Sequence, residues 1–159
     1  MSSSSSVLFV CLGNICRSPL AEGVFRYVLK QRDLIDSIRV DSCGTGGWHV
    51  GNPPDPRSVA IAHEHGVDIS WQRARQLDST DYDNFSFIVA MDRSNYQTLV
   101  ARQPPGTSAQ LVRFMSLIDD LPTPDVPDPY YGGPDGFAHV WELLTGGMER
   151  LVDRVCDAF

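Results

Sequence analysis

One stretch constrains this chain more than any other: Val7-Leu8-Phe9-Val10-Cys11-Leu12-Gly13-Asn14-Ile15-Cys16-Arg17-Ser18-Pro19. Val7 to Val10 is an unbroken, β-branched apolar run, short enough for a strand buried on both faces, and it delivers a cysteine at its carboxyl end. Ser18 and Pro19 then open a helix, serine as the N-cap or its neighbour and proline at the first helical position, where no N–H is needed. Between strand and helix lies a tight loop containing Gly13. Such a loop points successive backbone N–H groups inward at the positive end of a helix, a concave seat for an oxyanion. Arg17 adds two parallel charge-assisted bonds to a phosphate, and its charge, with the helix dipole, would hold Cys11 as a thiolate. Nucleophile and anion cradle are one structure, and the chemistry this favours is attack of sulfur on phosphorus.

The chain has 159 residues, enough for one domain with a sizeable core. We expect residues 1–6 to be a polar tail and residues 7–159 a single domain. A formal net charge of −7 without any run of Lys or Arg argues against a nucleic-acid or membrane-surface partner. Cys11, Cys16, Cys43 and Cys156 follow no zinc spacing, and no signal pattern precedes the first strand, so a reducing cytoplasm is expected. His49, His63, His65 and His139 form no ligand set, so no metal is expected.

Taken in order, Pro19 to Arg32 reads as an amphipathic helix, with Glu22, Arg26 and Lys30 on its polar face. Ile38–Cys43 reads as a second strand, parallel to the first through a right-handed crossover. Gly44–Asp55 is an ordered loop whose Trp48 either anchors it on the core or walls a cleft. Asp55 and Pro56 cap a helix that Gly66 ends, and Ser79–Asn84 is a short capped helix. Phe87–Met91 is a buried strand ending in Asp92, Arg93–Arg102 a helix, and Leu111–Met115 a strand. Leu121–Gly133, with four prolines, is a rigid loop. A final helix from about Asp135 buries Phe137, Val140, Trp141, Leu144, Met148, Leu151, Val152, Val155 and Phe159. The pair Gly146-Gly147 inside it has no evident reason.

Strands alternating with helices predict a doubly wound α/β domain of about four parallel strands with helices on both faces. Ligands on such sheets bind at the carboxyl ends of the strands, where Cys11, Ser42 and Asp92 all fall. A phosphocysteine route needs an acid for the leaving oxygen and later a base for water. Spacing leaves Asp92, Asp125 and Asp128 as candidates. Ser18 can bond the thiolate and ease its departure, and Cys16 is close enough for oxidation to join it to Cys11.

The pattern Cys11-Leu-Gly-Asn-Ile-Cys-Arg-Ser18-Pro19 after an amino-terminal strand resembles the low-molecular-weight protein tyrosine phosphatases. Cys, five residues, then Arg is shared by several phosphatase classes, but Gly-Asn-x-Cys within it is far more specific. Asp128-Pro129-Tyr130-Tyr131-Gly132 matches the family's general-acid loop almost residue for residue, which selects Asp128 as the acid. The likeness extends to Asp41-Ser42, Gly51–Arg57, Ala74-Arg75-Gln76 and Met91-Asp92. It implies a phosphotyrosine protein phosphatase I-like fold and cofactor-free hydrolysis of phosphotyrosine, with Cys11 as nucleophile, Arg17 as phosphate clamp and Asp128 as acid, then base. Leu12, Gly13, Asn14, Ile15, Cys16 and Ser18 would bind phosphate, Ser42 and Asp92 would support the loop, and Trp48, Tyr130 and Tyr131 would wall the cleft. The implied partners are tyrosine-phosphorylated proteins and a tyrosine kinase, the chain itself being a monomer or weak dimer through its aromatic loop. One departure stands out: Gln72 occupies a position where the family commonly has histidine, so any titrating support role there is lost. An arsenate reductase, which shares the loop, would need resolving cysteines that are lacking between Cys43 and Cys156. A non-catalytic phosphotyrosine-binding module would not be expected to keep both Cys11 and Asp128.

Overall fold

Ser5–Cys11 form β1, buried at every residue. In the computed structural model, which describes residues 5–118, 125–130, 132 and 134–158, this is an inner strand of a four-stranded sheet of order β2-β1-β3-β4. The partners are β2 (Ile38–Gly44), β3 (Phe87–Ala90) and β4 (Gln110–Arg113), and every pairing is parallel. Burial on both faces is why the run is continuous rather than alternating. Val7, Phe9 and Cys11 join the larger core, with Leu20, Val24 and Phe25 of α1 (Arg17–Gln31), Ile61 of α2 (Pro56–Glu64) and the apolar stripe of α5 (Pro134–Asp157). Leu8 and Val10 join the other, with Tyr82 of α3 (Asp81–Asn84) and Leu99 of α4 (Arg93–Arg102). The doubly wound expectation holds.

The chain leaves β1 toward β2 on one side and later returns to add β3 on the other. The carboxyl end of β1 is therefore the topological switch point, where crossovers diverge and leave a crevice. The loop 12–16 opens there.

Several local expectations are corrected. β1 begins at Ser5, so Ser5 and Ser6, paired with Ile38 and Arg39, belong to the sheet and not to a tail. Helix α1 starts at Arg17 rather than Pro19, with Cys16 at the N-cap and no side-chain cap; Ser18 falls inside the first turn, its hydroxyl facing Asn14 and the Cys11 sulfur. At α3 the Thr80 side chain does not cap either; Asp78 Oδ1 accepts the Thr80 N–H at 3.3 Å instead. The fourth strand stops at Arg113, and Phe114–Leu117 form a turn of 3₁₀ helix. Phe114 and Met115 are consecutive and both enter the larger core, which a pleated strand with alternating side chains cannot arrange. Asp55 caps α2 as expected, its carboxylate accepting the Arg57 N–H at 2.8 Å. Helix α5 starts at Pro134, one residue before the expected Asp135. Residues 121–124, Tyr131, Gly133 and Phe159 lie outside the described residues.

Gly147 is explained by packing. A Cβ there would sit 3.0 Å from Ile118 and from the Phe114 ring, so the glycine lets α5 close on the 3₁₀ turn, whereas Gly146 is exposed and meets nothing within 4 Å. Gly147→Val is expected to cost about 1–3 kcal/mol through overpacking, while Gly146→Ala gains up to roughly 1 kcal/mol of helix propensity. Urea unfolding of the two variants checks the opposite signs.

Candidate active site

The loop between β1 and α1 is held from outside by its carbonyls. Thr45 N–H donates to Cys11 O and Gly46 N–H to Leu12 O, each at 2.9 Å, and Asp55 N–H donates to Ile15 O at 2.8 Å. Ser58 Oγ donates to Cys16 O at 3.3 Å. Gly44, at the end of β2, passes directly beneath; a Cβ there would be 2.8 Å from Leu12 O, so only glycine allows the approach. Among the described residues, no acceptor is recorded for any backbone N–H from Leu12 to Cys16. With its carbonyls held from outside, the loop has the backbone N–H groups of residues 12–16 left for an anion at the amino end of α1.

Asn14 takes the left-handed conformation at φ 58°, which asparagine tolerates better than most residues. Its Oδ1 accepts the Arg75 backbone N–H at 3.0 Å, so its amide N–H groups face Ser18 Oγ at 2.8 Å and Ser42 Oγ at 3.0 Å. Ser18 Oγ also lies 3.0 Å from the Cys11 sulfur and 3.4 Å from Cys43 O, and toward a thiolate at Cys11 its hydroxyl can only donate. Ser42 donates in turn to Glu22 Oε1 at 2.8 Å.

Glu22 corrects the helix reading: it is not on a solvated face but 2% exposed, paired with Arg26 at 2.9 Å. Burial pushes its carboxyl up, against the opposing bonds from Ser42 and Arg26. Gln72, buried beside it, donates to Pro19 O at 3.1 Å and has its Oε1 3.5 Å from Ser42 Oγ. An uncharged residue thus occupies the support position, its amide N–H holding Pro19 O.

Arg17 is 2% exposed. Its Nη1 donates to Asp92 Oδ2 at 2.6 Å and to Val126 O at 3.0 Å. Nη2 lies 3.5 Å from Asp128 Oδ2, and Nε is buried without an acceptor. Nε and Nη2 form one edge of the guanidinium, the fork that grips an oxyanion through two bonds. Burial works against the Arg17 charge, but the Cys11 sulfur and Asp92 outweigh it and raise its pKa.

The three acid candidates separate by geometry. Asp92 has both oxygens committed, Oδ2 to Arg17 and Oδ1 to the Asn95 N–H at 2.7 Å as the N-cap of α4. Asp125 accepts the Arg93 N–H at 2.9 Å. Asp128, its side chain 38% exposed, is the one that lines the cavity.

That cavity, of about 300 Å³, is bounded by Cys11, Leu12, Gly13, Ile15, Cys16, Arg17, Trp48, His49, Asp128 and Tyr130. Asn14, Ser18, Ser42 and Asp92 stand behind it rather than in its wall. Trp48 is 71% exposed at the rim, so it walls the cleft and does not anchor its loop in the core. His49 was missed by sequence reasoning; its ring lies 6.2 Å from that of Tyr130, and only its place beside Trp48 in the loop could have hinted at it. Cys16 is pushed up to about 12, by burial foremost and then by Asp55, so its thiol stays protonated. Among the described residues no group of three or more His, Cys, Asp or Glu is placed to hold a metal, and no helix is long and apolar enough to cross a membrane.

Comparison with known proteins places this geometry. Residues 6–158 match the family profile described as low molecular weight phosphotyrosine protein phosphatase. The phosphatase of that name from Schizosaccharomyces pombe is 46% identical over 158 residues, covering 98% of this chain and 99% of its own. The low molecular weight protein-tyrosine-phosphatase YfkJ of Bacillus subtilis is 42% identical over 150 residues, 94% of this chain and 95% of its own. The crystal structure of a protein tyrosine phosphatase from Entamoeba histolytica, with Hepes in its active site, superposes with a TM-score of 0.92 at 36% identity, covering 98% of this chain and 99% of that one. The chain belongs to the low molecular weight phosphotyrosine protein phosphatase family.

Proposed function

We propose that this chain hydrolyses phosphotyrosine and other aryl phosphate monoesters through a phosphocysteine at Cys11. The observation that carries the reading is Arg17, whose Nε has no acceptor and whose Nη2 shares that edge, lining the same cavity as Cys11. A phosphate seated there meets the fork on one side and the N–H groups of residues 12–16 on the other. Donors are thereby fixed in advance where charge builds on the equatorial oxygens.

Cys11 attacks as a thiolate, forming the S–P bond while the P–O bond to the aryl group breaks, and Asp128 as the carboxylic acid gives its proton to the leaving oxygen. In the second step Asp128, now a carboxylate, takes a proton from water; the water oxygen joins phosphorus, the S–P bond breaks, and phosphate leaves. Ser18 stabilises the departing thiolate through its hydrogen bond. Trp48 and Tyr130 supply aromatic walls for the substrate ring. Tyr131 was assigned the same role and lies outside the described residues. Asp92 and Ser42 hold Arg17 and Asn14.

The substrates implied are tyrosine-phosphorylated proteins, with the kinase that made them as a further partner and the chain a monomer or weak dimer. Four free thiols fit a reducing cytoplasm. Under peroxide, Cys11 would become a sulfenic acid, and condensation with the Cys16 thiol would release water and leave a disulfide that thiols reverse.

Hydrolysis of p-nitrophenyl phosphate tests the reading. The wild type turns over without added metal and in the presence of EDTA; Cys11→Ser abolishes turnover, and Asp128→Ala slows phosphotyrosine hydrolysis by about 10²–10⁴-fold. A wild type inert with reduced thiols contradicts it. Iodoacetate at neutral pH is expected to carboxymethylate Cys11 ahead of Cys16 and Cys43, whose thiols burial keeps protonated, and phosphate protects Cys11. Peptide mapping in which Cys16 reacts first would refute the assignment of the nucleophile.

A further inference from the structure

Asp128 sits on a stretch without regular structure, following a proline and preceding another. A general acid must nevertheless be held to a fraction of an ångström, since misplacement by about 1 Å can cost roughly 10²-fold in rate. The first turn of α2 supplies the hold. Arg57 Nε donates to Asp55 Oδ1 at 3.0 Å and Nη2 donates to Asp55 Oδ2 at 2.9 Å, a two-bond fork that fixes the guanidinium plane. From that fixed plane Nη2 donates to Tyr130 O at 3.0 Å and Nη1 to Gly132 O at 3.2 Å. The guanidinium lies over the Phe137 ring, 4.6 Å from its centroid, at the start of α5. Asp55, the other half of the fork, is bonded through its backbone N–H to Ile15 O in the sulfur's own loop.

We infer that Arg57 is a positioning residue for Asp128: with Asp55 it ties the two backbone carbonyls just after the acid to the loop that carries the nucleophile, and so fixes the distance over which the proton is delivered. Arg57 touches neither substrate nor sulfur in this role. It acts through Tyr130 O and Gly132 O, and Asp128 itself is turned by the Tyr130 N–H, which donates to Asp128 Oδ1 at 3.1 Å. The Arg57 fork holds the Asp55 carboxyl below the usual carboxylate range. By sign, what that pair contributes is present above Asp55's ordinary value and is lost only as pH falls through the depressed one, so the tie is intact at neutral pH.

The inference rests on the phosphocysteine reading, and leaving-group dependence tests both separately. The quantity measured is kcat/KM for phenyl phosphate, whose leaving oxygen needs a proton, and for 2,4-dinitrophenyl phosphate, whose leaving group does not. Asp128→Ala is the benchmark and loses far more on the first ester; if it loses equally on both, the assignment of the acid fails, whatever Arg57 does. Given that benchmark, Arg57→Ala is expected to lower kcat/KM for phenyl phosphate about 10-fold or more and for the dinitrophenyl ester less than about threefold. Arg57→Lys, which keeps the charge but lacks the fork, shows the same selective loss. In the Asp128→Ala background, Arg57→Ala has no further effect on phenyl phosphate, because residues acting as one unit are not additive. Equal loss on both esters, full rescue by lysine, or additive losses in the double variant would each overturn the proposal.

Discussion

A guanidinium buried to 2% exposure is the constraint on which the rest of this structure depends. An unpaired charge at that depth would cost several kcal/mol, so Arg17 must be paired and hydrogen-bonded, and its partners come from two separate parts of the chain. Asp92 comes from the end of β3 and Val126 O from the approach to the acid loop; Asp128 stands 3.5 Å off on the other edge. Satisfying one buried cation thus draws together the carboxyl ends of β1 and β3 and the segment before α5. What is left over is Nε, without an acceptor, and part of Nη2, on a residue that lines the cavity; a phosphate dianion bound there would complete a coordination that the protein leaves unfinished.

The second element is the direction of a chain of hydrogen bonds. From the Arg75 N–H, which orients the Asn14 amide, the chain runs through Ser42 to a carboxylate at Glu22, and a second branch runs through Ser18 Oγ to the Cys11 sulfur at 3.0 Å. Glu22 is the acceptor at the far end. Its partner Arg26 lies with its guanidinium 5.2 Å from the Trp71 ring centroid. Gln72 stands where a titrating residue was expected and supports Pro19 O as an amide, so the network of this chain ends on one carboxylate rather than on an ion pair with residue 72.

Those parts governed by local rules were legible in the sequence. An apolar run buried on both faces announced β1, Asp55-Pro56 announced α2, and the periodicity of Phe137 to Val155 announced α5. Cys11 and Arg17 stood out because their residue types make chemical sense at that spacing; spacing left three aspartates open as the acid, and the family resemblance chose Asp128 among them. What failed to show needed tertiary geometry. Helical spacing put Glu22 with Arg26 and Lys30, but a helix cannot declare that Ser42 of a neighbouring strand waits beneath one of its polar residues. Nothing within two residues of Arg57 announced that it reaches the carbonyls of Tyr130 and Gly132. The start of α1 is hidden because its N-cap is Cys16, not a capping residue by type, while Ser18, an excellent one, lies inside the helix beside the sulfur. Gly147 made sense only once Phe114 and Ile118 were seen against it.

The most direct test of the account is to trap the covalent intermediate. Enzyme quenched in acid during turnover of a phosphotyrosine substrate, digested and mapped by mass spectrometry, should carry a phosphoryl group on the peptide containing Cys11. Asp128→Ala, impaired in the hydrolysis of that species, should not abolish it when a substrate with a good leaving group is used. Label found on another residue, or turnover with no phosphoryl-enzyme under conditions where the second step is slow, would contradict the account.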